Sequence, residues 1–235
     1  MEALSVISKA LLAIHVFCGF SSIILFWIPI FLKKGSKNHI LIGKIYVLLM
    51  WAVVISAGLL SVKNIIIGEF VMAAFLGFLA IITANPLWYG IAILKNKKGL
   101  SVSYQKKHMA FNALITLAGV LLFAYGIYLK GQGAGVLMLI FGILGMTSGR
   151  DVLASYQGKN EKTSWIEEHI SGMLVSGIAA YTAFAVFGGR NFFMEYLTGY
   201  WSIIPWVAPT VIGITIIRYY KNTYLKKRSV TTNKF

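Results

Sequence analysis

Apolar residues along this chain are grouped into long blocks that short polar and basic segments separate. Most of these blocks reach the roughly 17–25 residues that a helix needs to cross the hydrocarbon layer of a bilayer. We therefore predict an all-α fold, a polytopic membrane bundle of seven transmembrane helices. The predicted spans are Ala10–Leu32, Ile45–Val62, Phe70–Leu94, Met109–Leu129, Ala134–Gly149, Ile170–Gly188 and Trp201–Ile217.

Polar residues at the block boundaries predict where several of these helices begin. Ser36 and Ser164 stand just ahead of helices 2 and 6, and Ser164-x-x-Glu167 fits the capping-box pattern. Ser101 or Ser103 is expected to cap helix 4. The fifth block is the shortest, and we expect its helix to continue past Arg150-Asp151 through Ala154.

The composition agrees with a membrane protein. Hydrophobic residues make up 58% of the chain and charged residues only 12%, with a mean hydropathy of +0.76. Soluble domains carry about 25% charged residues. A soluble domain is therefore excluded for most of the chain, and no predicted loop is long enough to hold one.

The basic residues predict the orientation. If the N-terminus lies outside, all but four of the 22 Lys and Arg residues fall on the cytoplasmic side, the exceptions being Lys9, Lys63, Lys130 and Arg190. This is the positive-inside asymmetry of cell-membrane proteins. The net charge of +15 then reflects topology and contact with anionic lipid headgroups, and it does not indicate nucleic-acid binding.

The domain organisation follows from these spans. Residues 1–220 are predicted to form the transmembrane domain and residues 221–235 a basic cytoplasmic tail. The N-terminal block has the length of a spanning helix and no clear cleavage site, so we expect a retained helix and not a signal peptide. The single cysteine, Cys18, is interpreted as a small apolar residue of helix 1.

Three of the four histidines occupy the same position in a recurring pattern, in which a polar or charged residue, His, and Ile or Met open an apolar block. These are His39, His108 and His169, spaced by 69 and 61 residues. Helices 1 and 3 also share a Phe-x-Gly-Phe sequence, at 17–20 and 75–78. We predict three helical hairpins in a parallel repeat and a final helix. The alternative is that Gly and Phe recur at similar depths in any helical membrane protein.

Three imidazoles that open three helices can converge on a metal. The helix N-termini and the nearby lysines favour neutral imidazole, which is the form that binds metals. Our leading hypothesis is a site for zinc or another transition metal, with His39, His108 and His169 as ligands and an open position. Asp151, predicted at a similar depth, is the candidate catalytic residue, for hydrolysis or binding of a membrane-associated small molecule.

Haem b is the alternative cofactor, because helical membrane bundles commonly hold haem between histidines of facing helices. His15 lies about two turns into helix 1 and is the candidate for a second haem or a quinone-side group. A third alternative is a transporter or a metal-free accessory protein, in which the histidines relay protons or contact lipid. Membrane lipids are the expected partners in every case.

Motifs in the first four helices resemble a known family. They are His15 with Gly19, His39-x-x-x-Gly43-x-x-Tyr46 at the start of helix 2, and His108-Met109 at the start of helix 4. This pattern is similar to that of a family of bacterial multi-pass membrane proteins catalogued as a domain of unknown function. The resemblance implies a membrane location and supports His15, His39 and His108 as site residues, without an established reaction.

The chain departs from the family pattern at two arginines. The helix 2 motif of that family usually reads His-Arg-x-x-Gly-Arg-x-Tyr, whereas this chain has Ile40 and Lys44 at the two Arg positions. A looser architectural similarity links the chain to seven-helix membrane proteins with a three-histidine zinc site. Those proteins have a histidine pair on the last helix, and helix 7 of this chain has no histidine.

Overall fold

The computed structural model describes residues 2–97, 101–130, 134–157, 164–189, 201 and 204–232, and within them it contains helices and no strand. The all-α prediction is confirmed for these residues. The α-helices are α1 (Glu2–Phe31), α2 (Lys37–Ile66), α3 (Phe70–Ala92), α4 (Val102–Tyr128), α5 (Ala134–Thr147), α6 (Gly149–Tyr156), α7 (Trp165–Ala183) and α8 (Ile204–Thr232). A 3₁₀ turn, Ile93–Lys95, follows α3, and a π-helical turn, Phe184–Gly188, follows α7.

The helix starts lie where the sequence predicts them. Ser36 caps α2 by accepting a hydrogen bond from the backbone N–H of His39. Ser164 and Glu167 form the reciprocal capping box of α7. Ser101 is the N-cap residue of α4, although its side chain makes no capping bond. The turn before α2 needs Gly35, whose φ of 78° is readily adopted only by glycine.

Among the described residues, six helical segments are long and apolar enough to cross a membrane. They are Leu4–Phe31, Lys37–Ile66, Phe70–Lys95, Val102–Tyr128, Ala134–Ala154 and Trp165–Gly188. The fifth combines α5 and α6, which follow each other at Ser148 and extend past Arg150-Asp151, as expected.

The last helix, α8, is not among the six candidate spans of the described residues. The basic residues Arg218 and Lys221 follow its described apolar part, Ile204 to Ile217. The helix continues to Thr232, past residue 220, the predicted end of the transmembrane domain. The sequence between Tyr219 and Thr232 contains no Gly or Pro that would end a helix.

Helix α3 is the most central element of the described bundle. It packs against α2, α4, α5 and α7, and it is the most buried of the six candidate spans. Helix α1 in turn packs against α2 and α7. The four helices α1, α2, α3 and α7 therefore form a square, in which α2 and α7 occupy opposite corners.

Glycines allow the closest helix contacts. A Cβ atom on Gly172 of α7 would lie 2.7 Å from both the Gly90 Cα atom and the Pro86 carbonyl oxygen of α3. Similarly, a Cβ on Gly145 of α5 would lie 2.9 Å from Gly119 Cα of α4. Small residues permit this close packing in lipid, where no hydrophobic effect drives helices together.

We predict that Gly172→Ala destabilises the protein by about 1–3 kcal/mol, the usual cost of overpacking. The added methyl group would meet the backbone of α3, which cannot move aside as a flexible side chain can. Thermal unfolding of the purified protein in detergent measures the change. Gly58→Ala is the matched control, since a Cβ at Gly58 has no atom within 4 Å and should leave the unfolding temperature unchanged or raised. Equal unfolding temperatures for the two variants would contradict a backbone contact at Gly172.

Candidate functional site

His39, in the first turn of α2, is held by the end of α1. Its Nδ1 atom lies 3.1 Å from the carbonyl oxygen of Pro29. A carbonyl oxygen can only accept a hydrogen bond, so Nδ1 carries the proton and donates it. In neutral His39 the lone pair is therefore on Nε2, which forms no hydrogen bond with any described residue. The Pro29 carbonyl is one of the last four of α1, which have no partner within their own helix.

His169, near the start of α7, has the same arrangement. Its Nδ1 atom lies 2.7 Å from the carbonyl oxygen of Gly90, in the last turn of α3. Nδ1 is again the donor, and within the described residues Nε2 again has no hydrogen bond. Two histidines from the predicted repeat thus satisfy carbonyls at the C-terminal ends of α1 and α3, and each keeps one ring nitrogen available as a base or ligand.

The same faces of α2 and α7 are turned toward each other. The Tyr46 hydroxyl and the Ser176 hydroxyl are hydrogen-bonded at 2.9 Å, and both side chains are buried. Each of these residues follows its histidine, His39 or His169, by seven positions, which is close to two helical turns and so lies on the same helix face. His39 is also close enough to His169 to interact with it electrostatically. His39 and His169 therefore lie on the faces of α2 and α7 that are turned toward each other across the centre of the four-helix square.

Lys34 lies near His39 and His169, in the turn between α1 and α2. Its Nζ donates hydrogen bonds to the carbonyl oxygens of Pro29, at 2.8 Å, and Ile30, and it stands 5.2 Å from the centre of the Tyr220 ring. The negative end of the α1 dipole favours a cation here. Burial lowers the pKa of the Lys34 amine below its ordinary value. Lys34 also interacts electrostatically with both His39 and His169.

His108 is in a different environment, between α3 and α4. Its ring stacks on Tyr89 with a centroid distance of 3.9 Å, and the Asn112 side-chain amide donates to its Nε2 at 3.2 Å. Asn85 in turn donates to Asn112 at 2.8 Å. The Nε2 lone pair of His108 therefore already accepts a hydrogen bond from Asn112. The Asn85 Oδ1 atom at the other end of this chain is buried and has no hydrogen-bond partner.

His15 belongs to the other half of the bundle. Its Nδ1 lies 3.2 Å from the Val53 carbonyl oxygen and 3.0 Å from the Ser56 hydroxyl oxygen. Ser56 donates its own proton to backbone carbonyls of α2, so it can accept from His15. These bonds join α1 to α2, and no described residue forms a hydrogen bond with Nε2 of His15.

Asp151, the predicted catalytic residue, is exposed at the start of α6. It interacts electrostatically with Tyr89, the residue on which His108 stacks. No hydrogen bond links Asp151 to His39 or His169 in the described structure. The predicted site residues thus form two groups at the same end of the bundle: His39 with His169, and His108 with Asp151 near Tyr89.

The predicted three-histidine coordination is not assembled in the described part of the chain, where no group of three or more His, Cys, Asp or Glu side chains could hold a metal ion. His39 and His169 are the two residues that fit a ligand role, because metal-binding histidines characteristically donate their second ring nitrogen to a carbonyl or carboxylate. Coordination that includes His108 stays a prediction.

Sequence reasoning missed the residues that surround the pair. Lys34 lies in a short basic loop and Tyr220 lies just after the last predicted span, and neither residue belongs to a recognisable motif. The Tyr46–Ser176 contact had a usable signal, namely the equal seven-residue spacing from His39 and His169. Two polar residues at the same spacing on two helices indicate a shared polar face.

Comparisons with protein-family models, with curated proteins and with solved structures give no match for this chain. The resemblances to the bacterial multi-pass family and to three-histidine zinc proteins therefore stay predictions. The candidate site has to be judged on its own geometry.

We predict that Asn112→Leu destabilises the protein by about 1–3 kcal/mol, because it leaves buried polar groups of Asn85 and His108 without a partner. Asn85→Leu should cost less, since it also removes a buried oxygen that has no partner. In the double variant the losses should be less than additive, by about 0.6 kcal/mol, the average for polar contacts between membrane helices. Unfolding of the four proteins in detergent gives this coupling energy, and strict additivity would contradict a direct Asn85–Asn112 bond.

Proposed function

We propose that this chain is a seven-span integral membrane protein that binds a transition metal near the cytoplasmic boundary through His39 and His169. The observation that supports it is the pair of imidazoles on facing helices, with Nδ1 held by backbone carbonyls and Nε2 not hydrogen-bonded to any described residue. The proposed architecture is three hairpins in a parallel repeat and a final helix. The equivalent roles of His39 and His169, which each cap the C-terminal end of an odd-numbered helix, favour this repeat.

Contacts of α8 at both ends support a seventh span. Trp206, near its start, packs on Phe75, close to the start of α3, with ring centroids 6.5 Å apart. Tyr220 reaches Lys34 and the Ile30 carbonyl at the opposite end of α1. Tyr220 follows Trp206 by 14 positions, which corresponds to about 21 Å of helix. Helix α8 therefore connects two levels that lie far apart along the bundle, as a tilted or slightly short span does.

In the proposed topology the N-terminus is outside and the C-terminus is cytoplasmic. Seven spans place the termini on opposite faces, and the clustered lysines of the turns after α1 and α3 mark the cytoplasmic face. His39, His169 and Lys34 then lie near the inner membrane boundary. A ligand could reach them from the cytoplasm or from the inner leaflet.

We predict that a cysteine at Ile67, between α2 and α3, reacts with a membrane-impermeant maleimide in intact cells. A cysteine at Lys37, at the start of α2, should react only after the cells are permeabilised. Both are introduced one at a time into a Cys18→Ala background, which removes the only natural thiol. The reverse labelling pattern would overturn the orientation, and labelling of both sites in intact cells would show that residues 37–66 do not cross the membrane.

The rings of His39 and His169 are both fixed by backbone carbonyls. The Pro29 and Gly90 carbonyls orient the two imidazoles and raise the basicity of their Nε2 atoms. A bound transition metal would act there as a Lewis acid or a redox centre. Two protein ligands leave coordination positions for water or for a membrane-associated small molecule.

Haem b is the second candidate form of the metal, and two observations favour it. The described site offers two imidazoles, which is enough for haem iron with an axial side chain on each face, whereas structural or catalytic zinc takes three or four protein ligands. Lys34 beside the pair would also suit the carboxylates of a haem and would repel a bare divalent cation.

We predict that purified wild-type protein carries about one equivalent of transition metal or haem, and that His39→Asn and His169→Asn each lose most of it. Asparagine keeps an N–H donor near the position of Nδ1 for the carbonyl but is a poor metal ligand, so the fold should survive. His108→Gln is the control, because its Nε2 already accepts from Asn112. Elemental analysis measures the metal, and Soret absorption after expression with haem supply distinguishes haem from a metal ion. Wild-type protein with neither signal, or equal loss in all three variants, would contradict the two-histidine site.

A further inference from the structure

An apolar groove lies next to the candidate site, between α1, α7 and α8. Its volume is about 400 Å³, within the range of small-molecule sites, and its exposed lining is almost entirely apolar. The residues that line it include Phe26, Trp27, Leu174, Ile178, Ala208 and Ile216. A groove of this kind inside a membrane suits a hydrocarbon chain.

All three helices lead from this groove to the polar cluster at the same end of the bundle. On α1, Phe26 lines the groove, and Pro29 and Ile30 in the next turn bind Lys34. On α8, Ile216 lines the groove and is followed one turn later by Tyr220, whose ring lies against Lys34. On α7, which runs in the opposite direction, His169 lies just over one turn before Leu174. The inner end of the groove therefore lies about one helical turn from the residues that hold Lys34 and from His169.

The polar groups at this end match an acidic headgroup. Lys34 forms no ion pair with any described residue, and two of its three N–H bonds are used by the Pro29 and Ile30 carbonyls. One donor is left for an anion. Tyr220 donates its hydroxyl proton to the Ile30 carbonyl, so this proton is not available to the anion.

We infer that the groove and Lys34 form a binding site for a long-chain carboxylic acid, with the hydrocarbon chain between α1, α7 and α8 and the carboxylate on the Lys34 amine. A carboxylate fits better than a phosphate dianion, because only one lysine donor remains and the neutral Nε2 atoms of His39 and His169 are acceptors. The acid would lie beside the proposed metal ligands. The inference shares the membrane placement of the proposed function, but it does not require the metal.

The test uses the full chain in phosphatidylcholine vesicles, after treatment with a chelator, and a nitroxide-labelled stearic acid as the probe. Electron paramagnetic resonance measures the immobilised fraction of the probe. Wild-type protein should bind the acid about tenfold more tightly than its methyl ester, the change expected for one charge-assisted hydrogen bond. Equal binding of the acid and the ester would overturn the inference, because a carboxylate held by the Lys34 amine requires a preference for the acid.

Two variant pairs test the two halves of the site. Lys34→Gln should weaken acid binding about tenfold and leave ester binding unchanged, whereas Lys33→Gln, an exposed neighbour, should change neither. Ala208→Trp should fill the groove and abolish binding of both probes, and Val207→Trp, on the exposed side of α8, should not. Unchanged acid binding in Lys34→Gln, or in folded Ala208→Trp, would overturn the inference. If Ala208→Trp does not fold, two comparisons decide whether the inference holds. They are Lys34→Gln against Lys33→Gln, and the acid against its methyl ester.

Metal and haem content of the same preparations separates this inference from the proposed function. Acid binding without any metal in untreated protein would contradict the metal site and support the groove. Metal binding without a preference for the acid over the ester would support the metal site and contradict the groove.

Discussion

The contact between α3 and α7 at Gly90 and Gly172 determines the geometry of the candidate site. The backbones approach so closely there that even a methyl group at Gly172 would overlap with α3. This proximity places the Gly90 carbonyl within reach of His169 at 2.7 Å, and the bond sets which ring nitrogen of His169 carries the proton. Without small residues at this level, α7 would stand farther from α3 and the His169 ring would lose its anchor.

Unpaired carbonyls at helix ends explain why polar residues gather at this end of the bundle. The last four carbonyls of a helix have no partner within it, and near the membrane core water cannot be relied on to supply one. Here His39, Lys34 and Tyr220 satisfy carbonyls of α1, and His169 satisfies one of α3. The groups that complete the helix ends are therefore also the groups available for chemistry, because each histidine uses only one of its two nitrogens.

The third histidine of the pattern shows how equivalent sequence positions acquire different roles. His108 opens α4 as His39 and His169 open their helices, yet it bonds to Asn112 of its own helix and stacks on Tyr89. Helix α4 packs on a different side of the bundle, against α3 and α5. His39 and His169 thus lie on facing helices, whereas His108 belongs to a separate polar chain, and Asp151 lies near that chain through Tyr89.

The sequence by itself determined the helical class, the six apolar spans, the serine caps of α2 and α7, and the common end of the bundle at which His39, His108 and His169 lie. These features depend on local properties, namely apolar length, capping chemistry and charge distribution, which act within a few residues of one helix. Only the tertiary structure decided that His39 faces His169, that His108 does not join them, and that Lys34 and Tyr220 complete the site. Which helix faces pair depends on close contacts such as Gly90 with Gly172 and Tyr46 with Ser176, between residues 82 and 130 positions apart in sequence. The spacing of residues along a single helix does not indicate which helix faces pair.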